Sequence, residues 1–368
     1  KDRQLNQRFR SRFEACHMKY SLAVPFLERI FRLAVDGGFT GQITANSFMK
    51  REFGKKLIEQ FLPQIDLTHV IDTSGAYIPG HGTPTVILFG RHRKPVTSTI
   101  RTVMGIRGEP STPKDAAQGL VWSAIVDQID RVDSESEFMS VADSDRQLFH
   151  KHPWSIGGGG ASELKEKIES NSILRLSQVS SSIGITSFTL EDDIFILPEN
   201  AAYRLRIQDN EFRPMVEGTS IRDWRHSESE VSIFPYDNEF KPIEQNSFLP
   251  SLRYLWIART CLSNNKMFGG KSKVQCGLNW YEYGRLTSDK LKTPLSLVFA
   301  FVATHNHFVL DRGGNVFNRS APVIKLKPDA TEEDHLSLLG LINSSTGCFW
   351  MKQVFHDKGS TVDSSGAR

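Results

Sequence analysis

Four stretches of this sequence hold residues that could do chemistry. In IDTSGAYIPGHGTPTVILFG, residues 71–90, a lone large aromatic (Tyr77) and one imidazole (His81) sit in a glycine- and proline-rich loop between two apolar runs. DGGFTGQI, residues 36–43, ends a helix and leads into a strand. A phosphate-binding glycine loop runs the other way, from a strand into a helix N-terminus, so these glycines are expected to cap a helix. SIGGGGAS, residues 155–162, precedes the helical ELKEKIE and has the polarity of an anion nest; a flexible hinge and a phosphate-contacting loop both stay open. GRHRKP, residues 90–95, gathers Arg91, His92, Arg93 and Lys94, either as a solvated surface or as a contact to DNA phosphates. No Ser-His-Asp arrangement is legible, no His-x-x-x-His occurs, and Asp192-Asp193 reads as a turn, so no self-sufficient hydrolytic site is expected.

These residues need elements to position them. Ala23, Phe26, Leu27, Ile30, Phe31 and Ala34 recur at helical spacing over Tyr20 to Val35, and the helix stops at Asp36-Gly37-Gly38. FTGQITA reads as a strand. NSFMKREFGKKLIEQFL reads as a second helix, with Phe53, Leu57, Ile58 and Phe61 as its stripe and Asn46 or Ser47 as its cap. THVIDT, TPTVILFG and TSTIRTVMGI read as three more strands, an order that describes part of an α/β sheet. DAAQGLVWSAIVDQI is helical, and the acidic, serine-rich DRVDSESEFMSVADSD reads as a linker. Beyond it, SIGITSFTLEDDIFIL, AYRLRI and APVIKLK alternate as strands do, and HLSLLGLINSSTGCFWMKQV is helical.

Composition bounds the class. With 368 residues, 39% of them hydrophobic, the chain is long enough for two globular domains. The net charge of +3 is unevenly spread: residues 1–60 hold twelve basic against six acidic side chains, and residues 127–145 hold seven acidic residues and one Arg. A basic head suits nucleic acid and equally a solvated helical face. Cys16, Cys261, Cys276 and Cys348 form no Cys-x-x-Cys pair and read as reduced thiols of a cytoplasmic protein. No stretch approaches a membrane span and no leader opens the chain, so export and membrane insertion are disfavoured.

Residues 20–90 resemble the later half of the catalytic domain of adenine-specific N6 DNA methyltransferases of restriction-modification and phage-defence systems. The shared order is a helix with Tyr and Phe, Gly-Gly, a strand, an Asn-Ser-Phe turn, a Gly-Lys helix, a strand, and a hairpin ending in an apolar strand. Farther on, HPWSIGGGGASELKEKIE, MVEGTSIRDW, FVATHNHFVLDRGG and the segment 338–368 are similar to the methyltransferases of BREX-type phage resistance. The family's cofactor glycine motif and its catalytic Asn-Pro-Pro-Tyr have no counterpart, since the sequence contains no Pro-Pro. The chain begins with Lys1 where Asn-Pro-Pro-Tyr would have just ended, and is therefore expected to be a fragment of a larger enzyme, inactive alone.

The resemblance implies an α/β fold: the later half of a Rossmann-like methyltransferase sheet in residues 1–125, an acidic connection in 126–150, and a mixed α+β target-recognition domain in 151–368. It implies methyl transfer from S-adenosylmethionine, with no metal, to an adenine flipped out of double-stranded DNA at a cost of a few kcal/mol. Tyr77 is the residue placed to stack on the flipped base, and Asn46, Ser47 and Phe48 match the turn closing its pocket. Candidate DNA contacts are His81, Arg91, Arg93 and Lys94, with Arg222, Trp224, Arg225, His305, Asn306, His307 and Arg312 for base reading in the major groove. Other phage-defence proteins are expected partners. Two readings compete: a DNA-binding specificity module serving a separate catalytic chain, and a combined restriction and methylation enzyme. The latter needs a Pro-Asp and Glu-x-Lys nuclease motif that the sequence does not show.

Overall fold

The computed structural model describes residues 3–222, 224–227 and 230–355; Asp223 and residues 356–368, parts of two motifs quoted above, lie outside them. The fold is mixed α/β with several sheets, divided into two compact units, Lys1–Ser172 with Phe349–Arg368, and Ile173–Cys348. Among the described residues no helix is long and apolar enough to cross a membrane.

The first unit is built on five strands: β1 (Phe39–Ala45), β2 (Asp66–Asp72), β3 (Thr85–Arg91), β4 (Thr99–Gly105) and β5 (Met139–Asp145), in the spatial order β1-β3-β2-β4-β5. β3 is antiparallel to both β1 and β2, and β2 is parallel to β4. Hence β1, β2 and β4 share one direction and their carboxyl ends meet at one end of the sheet. Helix α1 (Arg3–Arg12) precedes this sheet and buries no residue. Helix α2 (Ala23–Leu33) buries Val24, Leu27, Glu28 and Phe31, one stripe at 3.6-residue spacing, in a core with Val86, Leu88 and Phe61. The buried Glu28 carboxylate is satisfied by the N–H of Ala15 at 2.9 Å and by Arg32 at 2.7 Å. Helix α3 (Leu120–Gln128) lays Val121 and Ile125 on Ile71, Val103 and Val141.

β1 is an edge strand with no neighbour on its outer side among the described residues. Phe39 and Ile43 on β1, Phe89 beside them on β3, and Phe26 and Leu33 on α2 are all exposed. Lone exposed apolar residues are ordinary, but here several are grouped along an unpaired strand.

Three expectations are corrected. The acidic segment 126–150 is no linker, because it contains β5; Val141 points inward while Asp143 and Asp145 face solvent, and Arg101 binds Asp143 at 2.6 Å across the strands. The boundary therefore falls after Ser172. The second helix, over 46–61, is broken into short turns, Asn46–Met49, Glu52–Gly54 and Leu57–Phe61. A Cβ on Gly54 would stand 1.8 Å from the Phe48 carbonyl, so the chain folds back on itself there. AYRLRI is not a strand: Glu199–Arg204 is a helix led in by Pro198.

In the second unit, strands Val316–Phe317, Phe212–Val216, Glu230–Ile233 and Ile196–Pro198 form one sheet. Strands Phe308–Asp311, Ser296–Phe299, Val323–Leu326 and Ser180–Gly184 form another. Helix Glu332–Asn343 opens with a capping box of Thr331 and Asp334.

Candidate functional site

The carboxyl ends of β1, β2 and β4 bring together segments far apart in sequence. After β1 the chain turns through Asn46 and Ser47, both half-buried, and the N–H of Asn46 is held by the Pro84 carbonyl at 3.0 Å. Phe48 departs from its expected role: it is fully buried, its ring edge-on to Trp154 at 5.8 Å, and so packs the core beneath the site.

After β2 comes the Tyr77 loop, which is built rather than slack. Thr73 and Thr85 hydroxyls pair at 2.7 Å across its base, the Gly75 carbonyl accepts the Glu109 N–H at 2.9 Å, and Ala76 N–H bonds to Thr73. At its tip Ile78 bridges His81 through Pro79 and Gly80, where Gly80 takes the φ of +68° that a type II turn requires at its third position. Tyr77 is half-buried beside this tip and His81 is exposed.

Asp72, at the end of β2, is a candidate that the sequence reading missed. Its carboxylate accepts the Ser74 N–H at 2.8 Å, and burial pushes its pKa up against Ser74, Lys50 and the Gly105 N–H, which pull it down. An Asp before a turn reads as a local cap; only the pairing of β2 with β4 shows that it faces Gly105.

The SIGGGGAS loop crosses the end of β4, with Gly157 bridged to Gly105. It leads into helix α4 (Ala161–Ser170), as expected. It is packed at Gly158, where a Cβ would stand 2.6 Å from Ser140 Oγ and 2.7 Å from the Met104 carbonyl, and the Gly159 N–H is taken by Ser140 at 3.2 Å, while Gly160 has open space beside it. Among the described residues no group of His, Cys, Asp and Glu is arranged to hold a metal ion.

The basic knot lies elsewhere. Because β3 is antiparallel, Arg91 to Lys94 stand at the opposite end of the sheet, about 20 Å from the Tyr77 loop for a seven-residue strand. Arg91 donates to the Gly37 carbonyl and lies 4.3 Å from the centre of the Phe39 ring, His92 bonds the Ala34 carbonyl, and Arg93 pairs with the buried Asp66 at 2.9 Å. Three of the four therefore hold structural contacts while staying half-buried, and Lys94 alone is exposed.

In the second unit the candidates separate in the same way. Arg222 and Arg225 face each other in the short hairpin of Ile221–Arg222 and Arg225–His226, with Trp224 at its tip, exposed and with φ +69°. Asn306 caps the end of helix Glu332–Asn343, its amide donating to the Ile342 carbonyl at 2.6 Å, and Arg312 forms an exposed ion pair with Glu332 at 2.7 Å. His305 is exposed and its ring lies 6.5 Å from that of His307.

No family model matches the chain. It is 45% identical to the adenine-specific methyltransferase PglX of Streptomyces coelicolor over 383 aligned residues, which take in 100% of this chain and 31% of the relative. The chain resembles adenine-specific methyltransferases along its whole length. It spans about a third of the length of PglX. A Type II methyltransferase of Pseudomonas aeruginosa is 21% identical over 322 residues, 83% of this chain and 50% of that one. The Type IIL restriction-modification enzyme MmeI, solved in complex with DNA, shares the fold at a TM-score of 0.54 and 11% identity, covering 90% of this chain and 38% of MmeI. The resemblance to adenine-specific methyltransferases thus rests on PglX, and MmeI shows a shared fold alone.

Proposed function

We propose that this chain is the later part of the catalytic domain, followed by the DNA-recognition domain, of a site-specific adenine N6 DNA methyltransferase acting in phage defence. The observation that carries the reading is the 45% identity to PglX over the whole chain. The geometry supports it: Asn46, Ser47, Asp72 and the Tyr77 loop stand at the shared carboxyl end of parallel strands, where open α/β sheets bind their ligands.

In this reading Tyr77 takes one face of a flipped adenine, a stacking contact worth about 1–3 kcal/mol. Asn46 and Ser47 wall the pocket, and the anchored loop keeps the ring in place before the base arrives, which lowers the ordering cost of binding. The hairpin of Arg222, Trp224 and Arg225 contacts the duplex.

The sequence carries neither the family's cofactor glycine motif nor Asn-Pro-Pro-Tyr, and it spans 31% of PglX. Cofactor binding and methyl transfer are accordingly assigned to polypeptide outside this sequence, with the unpaired edge of β1 and the apolar residues beside it as the surface where that polypeptide joins. Incubation with duplex DNA and methyl-labelled S-adenosylmethionine tests the assignment. The chain alone should transfer nothing, and a longer polypeptide supplying the cofactor and Asn-Pro-Pro-Tyr motifs should label adenine N6. Transfer by the chain alone, or none by the longer one, would refute it.

A further inference from the structure

Helix α3 begins without a cap of its own. Gly119, the residue before it, has no side chain to offer, and the N–H groups of Leu120 and Val121 donate instead to the Glu109 carboxylate at 2.5 and 2.9 Å. A helix is ordinarily capped by the residue at its start; a carboxylate brought in from eleven residues before Leu120 ties two separate segments together. The negative charge also suits the positive end of the helix.

The carboxylate occupies the space that a side chain at position 119 would fill. A Cβ on Gly119 would stand 2.7 Å from Glu109 Oε1. Gly119 has φ −58° and ψ 142°, a conformation open to any residue, so its bareness serves the carboxylate and not the backbone.

Glu109 reaches the Tyr77 loop through its main chain. Its N–H donates to the Gly75 carbonyl at 2.9 Å, and a Cβ on Gly75 would stand 3.0 Å from Gly108 Cα and 3.3 Å from the Arg107 carbonyl oxygen. Residues 107–109 therefore lie backbone to backbone on the loop, just before Tyr77. Ala76, between Gly75 and Tyr77, packs on the same apolar cluster as Val121 and Ile125 of α3, a cluster anchored in the sheet by Ile71, Val103 and Val141. One residue thus holds the loop with its backbone and the helix with its side chain.

We propose that Glu109 is a positioning residue for Tyr77: it ties the loop to the sheet-anchored helix α3 and so fixes where the ring stands when a base is extruded. The inference rests on the reading of Tyr77 as the base-stacking residue, and it deepens that reading by naming what holds the ring. A binding group works only if its supports keep it within about 0.5 Å of the productive geometry, and a group fixed beforehand loses less freedom when the ligand arrives.

Two variants break the link from opposite sides. Glu109→Ala removes the carboxylate, and Gly119→Ala keeps it but displaces it from the helix start. Asp145→Ala, which deletes an unrelated cap on the Gln147 N–H in the same unit, controls for lost stability. The whole chain is labelled with fluorotyrosine, and the Tyr77 resonance is assigned among the seven tyrosines by Tyr77→Phe. At a temperature where every variant is folded, that resonance should shift or broaden in Glu109→Ala and in Gly119→Ala, and no further in the double variant. It should stay in place in Asp145→Ala and recover in part in Glu109→Gln, which keeps one acceptor oxygen. In a complete methyltransferase carrying this segment, extrusion of the target base, read by 2-aminopurine fluorescence, should fall several-fold in the same two variants while duplex affinity holds. A Tyr77 resonance unmoved in both, or moved equally by Asp145→Ala, overturns the inference and leaves the functional reading intact. A resonance that moves while extrusion matches the wild type overturns it as well, provided that Tyr77→Ala lowers extrusion. Extrusion that Tyr77→Ala leaves unchanged overturns both the inference and the role of Tyr77.

Discussion

Asp72 Oδ2 lies 2.6 Å from the point that a Cβ on Gly105 would occupy. Two neighbouring parallel strands therefore end on a carboxylate and a bare backbone, and the gap between them is closed to any side chain. Gly105→Ala should displace the Asp72 carboxylate from Ser74, disturb the base of the Tyr77 loop and cost about 1–3 kcal/mol. Chemical denaturation checks the cost; an unchanged midpoint would mean that the carboxylate swings away freely.

Tyr77→Ala should leave stability within about 0.5 kcal/mol, since the ring is half-buried and the loop is held by Thr73, Thr85 and Glu109 rather than by Tyr77. In a complete methyltransferase carrying this segment it should lower the extrusion of the target base, read by 2-aminopurine fluorescence, and Tyr77→Phe should restore it. Equal signals from all three proteins would remove Tyr77 from the base site.

Trp224 is held at φ +69° in the Arg222 to Arg225 hairpin, a backbone conformation that a bulky residue seldom adopts. Trp224→Gly should raise the melting temperature slightly by relieving that conformation, while weakening duplex binding about fivefold or more if the indole stacks. Opposite signs in the two measurements identify strain kept for function; weaker binding together with a lower melting temperature would mean that the indole serves the fold.

Arg93→Met should act on the fold and not on DNA. Asp66 is buried, and losing its 2.9 Å partner leaves only Arg146 at 3.4 Å. A loss of about 1–3 kcal/mol is expected, less than for a wholly buried pair because Arg93 is partly exposed and Arg146 remains. Duplex affinity should stay within about twofold of the wild type; a larger fall would return the basic knot to the interface.

Lys273 supplies a pH signature. It is fully buried, donates to the Trp280 and Glu282 carbonyls at 3.2 and 2.6 Å, and burial lowers its pKa from 10.5 to about 8. Its folded pKa lies below the unfolded one, so its contribution to stability is complete above pH 10.5 and is lost as pH falls through about 8. Between those limits the wild type should gain stability relative to Lys273→Met. Parallel melting curves across that window would show that the amine titrates normally.

The strands of the first unit were legible where short apolar runs end at glycine or proline, as in FTGQITA and TPTVILFG, and both form. β5 was not, because the alternating Asp143 and Asp145 of a solvent-facing edge give the same composition as a linker. Pairing order was hidden too, since local periodicity says nothing about which strand lies beside which. That is why Arg93 looked available: its partner Asp66 stands in another strand. The Tyr77 loop could be singled out from its residue types, whereas Asp72 acquires meaning only from Gly105 across the sheet.

The bare outer edge of β1 has a practical consequence for handling the chain. Its backbone groups from Phe39 to Ala45 form a ready template for a second copy, and Phe39 and Ile43 leave it without the charges that commonly discourage such pairing. Expressed alone at high concentration, the polypeptide is set up for edge-to-edge aggregation, and Ile43→Lys is the change that should improve its yield in soluble form.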